Sequence, residues 1–398
     1  MMIKLVLVNI LAKSNVEEFI EESKKLIGKD VEEWGQPGNL TVTQKSLIDF
    51  VNVNGDTNPL YREPDYAFRT RYGAVTATPA FVAAIRCPET SGAYSIKDFG
   101  LANFLSSMEF EWNDVIRVTE RFDVDLKNTD VYDNEAQVFG KPEKKHVAYV
   151  EAKGTYHNQY GTLVAKTCSV TRMIPFKRGE EMFVDRQLYE YTREQAESIG
   201  KDIDSEVIQG MSTRFWDDVN VGDKLTPVVK GPLELGPLLD WFVATRVNDW
   251  HLENYYRRAK EAPGEARVNP VTNWPYWVEQ LEYGSYHTSK LRGISFPFAP
   301  GIQQACLAGH LLTNWMSDDG FLRKLKMNID GIFMYGDVNW YKGQVKDKYK
   351  ERIGGKVYRA VDVDINVTNQ MGQKIGNGEA TVYLPSPGLE VSLPISKE

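Results

Sequence analysis

Cysteine and histidine are scarce: three cysteines and five histidines in 398 residues. Cys87, Cys168 and Cys306 stand far apart, with no CxxC or other metal spacing, so a metal cluster or a disulfide framework is not expected. Reduced, structural thiols in a cytoplasmic protein are the expectation instead. No two histidines have ligand spacing either. There is no excess of basic residues; a net charge of −8 and a pI near 5.4 argue against nucleic-acid binding, where Lys and Arg must neutralise phosphates. A long apolar run is also missing. The opening MMIKLVLVNILAK is too short to span a bilayer and shows no small-residue cleavage site, so neither a membrane span nor a signal peptide is expected. No glycine-rich phosphate loop follows a strand, and no G-x-S-x-G elbow occurs.

What is present is an ordinary globular composition, 42% hydrophobic and 26% charged, over a length that predicts two domains. A capping box at Ser14 and Glu17 opens a first helix, with Phe19, Ile20 and Leu26 as a partial apolar face and Gly28 as its stop. The chain then repeats itself. Helical TQKSLIDFVNVN and TPAFVAAIR precede three period-two strand patterns, and helical PLLDWFVATRV and GIQQACLAGHLLTNWM precede three more. Ala77 in ATPAF matches Ala299 in APGIQ at an offset of 222, Asp114 matches Asp337 at 223, and Asn158 in HNQYG matches Asn369 in TNQMG at 211. Duplication explains these near-equal offsets. The boundaries read as a first domain over 1–178, a charged, helical linker over 179–212, and a second domain over 213–398 with an insertion at about 258–293.

The stretch GDTNPLY, Gly55 to Tyr61, followed by YGAVTATPAF, resembles the MaoC-like hydratases and dehydratases, whose motifs read roughly G-D-x-N-P-[LIV]-H and Y-G-x-x-x-A-P-P-x-F. WDDVNVGDKL, FAPGIQQACLAGHLLTNWMSDDGFL and NQMGQKIGNGEATVYLP extend the resemblance through the second half. It implies an α+β fold of two tandem hot-dog domains, each an antiparallel sheet wrapped around a central helix. A catalytic pocket is then expected between the hot-dogs or between protomers. In that family the Asp and His of the motif handle the water and protons as water is added to, or removed from, a 2-enoyl thioester.

Here Asp56 and Asn58 are kept, but Tyr61 stands in the histidine position. An ordinary tyrosine titrates near 10 and is a poor base at neutral pH, though it can donate a hydrogen bond. Asp56 and Tyr61 are therefore secondary catalytic candidates, and Asn58 is expected to be structural or to orient substrate. The second half should carry the working pair. In TRVNDWH one register keeps Asn248 and puts His251 on the family histidine; another puts Asp249 on the aspartate. Neither preserves the intact motif, and Asp249 with His251 is the favoured catalytic pair, Asn248 a binding residue. Asp56 precedes Ala77 by 21 residues whereas Asp249 precedes Ala299 by 50. The extra segment holds His287, a further catalytic candidate, and Trp274, Tyr276, Trp277, Tyr283 and Tyr286, which either line an acyl site or pack the insertion. His310, inside an apolar helix, reads as a satisfied buried histidine.

Thioester chemistry also needs a donor for the enolate-like oxygen. Pro300 and Gly301, at the start of the second central helix, offer free N–H groups and a backbone that substrate can approach closely; Pro79 opens the equivalent segment. The same residues also read as no more than a helix start. The implied activity is a hydro-lyase on an acyl-CoA, with coenzyme A part of the substrate and no separate cofactor or metal. Lys and Arg near the pocket mouths would meet its phosphates. The alternatives are a non-catalytic acyl-thioester-binding protein or hydratase subunit, and a thioesterase. A homo-oligomer, such as a dimer, is expected.

Overall fold

The computed structural model describes residues 14–31, 38–246, 257, 260, 266–269, 271–277, 283, 285–286 and 289–396. Seven helices are used below: α1 Asn15–Lys24, α2 Gln44–Val53, α3 Pro64–Ala67, α4 Val82–Ile85, α5 Arg193–Asp204, α6 Leu235–Thr245 and α7 Gly301–Met316. Eleven strands accompany them: β1 Leu101–Trp112, β2 Phe122–Gln137, β3 Lys144–Asn158, β4 Leu163–Pro175, β5 Val228–Lys230, β6 Ala266–Val268, β7 Pro275–Trp277, β8 Phe321–Ile329, β9 Asn339–Ile353, β10 Lys356–Asn369 and β11 Lys374–Tyr383.

Nine strands form one antiparallel sheet in the order β2-β3-β4-β1-β8-β11-β10-β9-β5. Read outward from its centre, the sheet runs β1-β4-β3-β2 on one side and β8-β11-β10-β9 on the other, the same winding twice. Two matching turns make the duplication physical. Asn158 Oδ1 accepts from the N–H groups of Tyr160 and Thr162, and Asn369 Oδ1 accepts from those of Met371 and Gln373. In each turn the glycine three residues on, Gly161 or Gly372, takes a left-handed φ and donates its N–H back to the asparagine carbonyl.

α7 lies under the second half of the sheet and is buried from Ile302 to Met316, as expected of a helix that is apolar nearly all round. The first half differs from the expected central helix. Its counterpart is a single 3-10 turn, Pro79–Phe81, running into α4, which stops at Ile85. Pro88 follows shortly, and a proline disfavours helix in the residue before it. The core does not divide with the halves: Leu105, Trp112 and Phe81 from the first pack in one cluster with Ala305, Leu312 and Val363 from the second. The segment between them contains α5, which has no buried residue. α1 begins at the Ser14–Glu17 capping box and buries Phe19 and Ile20.

The halves meet edge to edge through β1 and β8, and only Ser107–Glu111 pair with Asn328–Lys324. Beyond that joint the strands diverge, and the Leu101–Leu105 stretch of β1 keeps β4 as its only strand partner among the described residues. Two buried arginines satisfy carbonyls that the divergence leaves over. Arg292 Nη2 donates to the Asn103 carbonyl at 2.5 Å, and Arg172 Nη2 to the Ile329 carbonyl at 3.1 Å. Replacing Asn158 or Asn369 by alanine removes the acceptor of two turn amides. Each substitution is expected to cost about 1–3 kcal/mol in urea unfolding; a cost under about 0.5 kcal/mol would make the turns incidental to stability.

Candidate active site

Two pockets lie between the halves, and they are built alike. The smaller, about 430 Å³ of empty space, lies where Tyr61 and the Ala77–Pro79 helix start of the first half face Met316, Ser317 and Asp318 at the end of α7. The larger, about 1080 Å³ and partly open to solvent, lies where Thr245 and Arg246 at the end of α6 and the Pro300–Gly301 helix start face Arg86, Cys87 and Glu89 beyond α4. Each pocket thus joins the helix start of one half to the helix end of the other. The larger one opens at the β1–β8 divergence, with Phe104 and Leu105 from β1 and Ile329 from β8 on its wall.

At the larger cavity, Pro300 is the N-cap of α7, and no side chain caps the helix. The amides of Gly301, Ile302 and Gln303 have no acceptor within the helix, and its dipole makes this end favourable for negative charge. Gly301 is required for packing: a Cβ there would sit 2.6 Å from Leu105 Cβ. The glycine expected to admit substrate is therefore also what lets α7 start against β1. Arg246 closes α6 in the left-handed region at φ 57°, a conformation disfavoured for a side-chain-bearing residue by roughly 1–2 kcal/mol. Asn248, Asp249, His251 and His287 lie outside the described residues. Of the insertion's aromatic residues, Tyr283 lines the cavity and packs on Phe298, while Trp274 is 58% exposed.

The first-half motif folds on itself. Asp56 Oδ1 accepts from the Asn58 N–H at 2.9 Å, Asn58 Oδ1 accepts from the Leu60 N–H at 3.0 Å, and Arg62 donates to the Asp56 carbonyl. Asn58 is thus occupied as the cap of the Pro59–Tyr61 turn. Asp56 lines neither pocket and is 2% exposed. Tyr61 is buried on the smaller pocket, and desolvation, reinforced by Asp56 and Asp318, holds its hydroxyl well above the ordinary tyrosine range. Neutral tyrosine here can donate a proton to a hydrogen bond but cannot act as a base.

The reading of His310 changes. Its Nε2 approaches Asp56 Oδ1 at 3.6 Å, and its Nδ1 lies 2.5 Å from Lys230 Nζ, which also donates to the carbonyls of Asn54 and Gly55. Asp56 Oδ2 and His310 Nε2 are buried without a hydrogen-bond partner, so the histidine is not the satisfied core residue expected. A carboxylate from the first half, an amine from β5 and an imidazole from α7 are packed together, separated by as much as 254 positions in the chain. No local pattern signals that meeting. Burial sets all three: it raises Asp56 to about 6, lowers Lys230 to about 8, and holds His310 well below the ordinary histidine value, with Lys230 adding to the last. His146, by contrast, is on the surface and paired with Asp133.

Because folding raises the Asp56 pKa from 3.8 to about 6, its contribution is fully present below pH 3.8 and is lost as pH rises through 6. Asp56→Asn removes that titration. The variant should gain on wild type by up to about 3 kcal/mol between pH 4 and 7.5 in urea unfolding. Parallel stability curves over that range would show that the carboxylate is not destabilised by burial.

Residues 26–167 match the family model of the FAS1-like dehydratase domain region. A search of curated protein sequences gives no match. Among solved structures, a MaoC-like dehydratase is 14% identical with a TM-score of 0.56, over 90% of this chain and 99% of its own. A protein described as a MaoC domain dehydratase from Chloroflexus aurantiacus is 12% identical at a TM-score of 0.52, covering 90% and 95%. A double-hot-dog protein from Mycobacterium tuberculosis is 11% identical at 0.50, covering 89% and 96%. At such identities the likeness is one of fold. This chain has a double hot-dog fold, like that of the solved MaoC-like dehydratases, and its first half contains the match to the FAS1-like dehydratase domain region.

Proposed function

We propose that the protein adds water to, or removes it from, a 2-enoyl thioester of coenzyme A, and that the reaction takes place in the larger cavity. The observation that carries this reading is the construction of that cavity. It is roomy, largely apolar in its aromatic wall, shared by both halves, and placed at the uncapped start of α7. The related pocket at Tyr61 is smaller and has lost the imidazole that the chemistry uses.

Hydration places a hydroxyl on the β-carbon and a proton on the α-carbon, and negative charge gathers on the thioester oxygen between those events. The free amides of Gly301 and Ile302 are suited to that oxygen, and they are fixed before the reaction begins. Asp249 and His251 follow Arg246 by three and five positions. Arg246 itself lines the cavity. We assign this pair to activating the water and returning the proton. Asp56 and Tyr61 are left a structural part, with Asp56 sealed against His310 and Lys230.

Hydration of enoyl-CoA should fall at least about a hundredfold in an Asp249→Asn, His251→Ala double variant, the range that acid–base groups contribute. The assay follows loss of the conjugated thioester absorbance. Equal rates would remove the assignment of this pair. Wild-type protein that turns over no enoyl thioester would remove the activity, and release of free thiol would indicate a thioesterase.

A further inference from the structure

The larger cavity has a charge balance that neutral acyl-thioester hydration does not need. Among its described lining residues, Arg86, Arg172 and Arg246 face a single carboxylate, Glu89. Arg86 is occupied by the carbonyls of Val31 and Val124, and Arg246 is exposed. Arg172 is the unusual one. It is 8% exposed, lies 4.5 Å from the centre of the Phe139 ring, and donates one hydrogen bond, to the Ile329 carbonyl. Its Nε is buried without a partner.

Arg172 forms no ion pair among the described residues. Asp330, an acid whose charge acts on it, is committed elsewhere, accepting from Asn377 Nδ2 at 2.8 Å. Burial lowers the Arg172 pKa only to about 10, so the guanidinium remains charged at neutral pH. A buried charge with no counterion is among the costlier arrangements in a protein, and one carbonyl and one ring offset only part of that cost. Serving the β8 carbonyl would need only a neutral donor. The charge itself calls for an anion in the cavity.

Resting on the thioester reading above, we infer that Arg172 is a specificity residue for an acyl group that ends in a carboxylate. The carboxylate reaches the Arg172 side of the cavity and accepts from the free Nε–H of that residue. The thioester end stays at the start of α7. A planar guanidinium suits a carboxylate better than an ammonium would.

Binding of non-reacting esters tests this without turnover. Glutaryl-CoA and pentanoyl-CoA, which differ in the terminal carboxylate, are titrated into wild type and into Arg172→Met and Arg172→Lys by calorimetry. The wild type should bind glutaryl-CoA roughly ten- to a hundredfold more tightly, the range of a charge-assisted hydrogen bond. Arg172→Met should abolish the preference, and Arg172→Lys should keep part of it. The same pair as pantetheine esters, which lack the nucleotide phosphates, should keep the wild-type preference. Equal wild-type binding of the two CoA esters would overturn this inference and leave the thioester reading intact. A loss on Arg172→Met shared by both CoA esters and absent from both pantetheine esters would overturn it too, because the anion would then be a coenzyme phosphate. Binding of none of the four would overturn both readings, and the wild-type comparison stands even if the variants fail to fold.

Discussion

Five residue pairs between β1 and β8 decide the shape of everything else. Two copies of one winding share a sheet, and they are joined only over this short stretch. Past that joint β1 and β8 part, leaving backbone carbonyls that Arg172 and Arg292 satisfy. The same parting leaves room for a cavity, and α7 begins there, with Gly301 letting it start against Leu105. The sheet joint, the buried arginines and the uncapped helix start are therefore one structural solution.

Duplication then allows the two equivalent pockets to diverge. In the first half the central helix has shrunk to a turn and α4, and the motif aspartate has been drawn inward against an imidazole and an amine from the second half. That cluster ties the end of α2, β5 and α7 together and lines neither of the two pockets. In the second half the full-length α7 keeps its amide end on the larger space, with strain at Arg246 on the opposite wall. Backbone strain of this kind persists only where surrounding structure fixes it, and it is concentrated at functional sites.

Much of this was legible in the sequence because it is local. The Ser14–Glu17 box, the Asn158 and Asn369 turns, the period-two strands and the Pro300–Gly301 helix start each rest on residues a few positions apart. The motif G-D-x-N-P pointed to the double hot-dog fold for the same reason. What was not legible depends on distant residues meeting. His310 looked like core because its helix is apolar, and only the folded chain brings it to Asp56 and Lys230. Arg172 sits in an ordinary alternating strand, and its meaning comes from its burial without an ion pair among the described residues. Gly301 was read through its backbone, whereas its packing partner Leu105 lies 196 positions away.

The central claim is that the larger cavity, and not the pocket at Tyr61, receives the thioester. Hydrogen–deuterium exchange with and without a saturating acyl-CoA tests it directly. Slowed exchange in peptides covering Pro300 to Gln304 and Thr171 to Arg172, with residues around Tyr61 and Ser317 unchanged, is the predicted result. Protection confined to the segments around Tyr61, Ala77 and Ser317 would contradict the account.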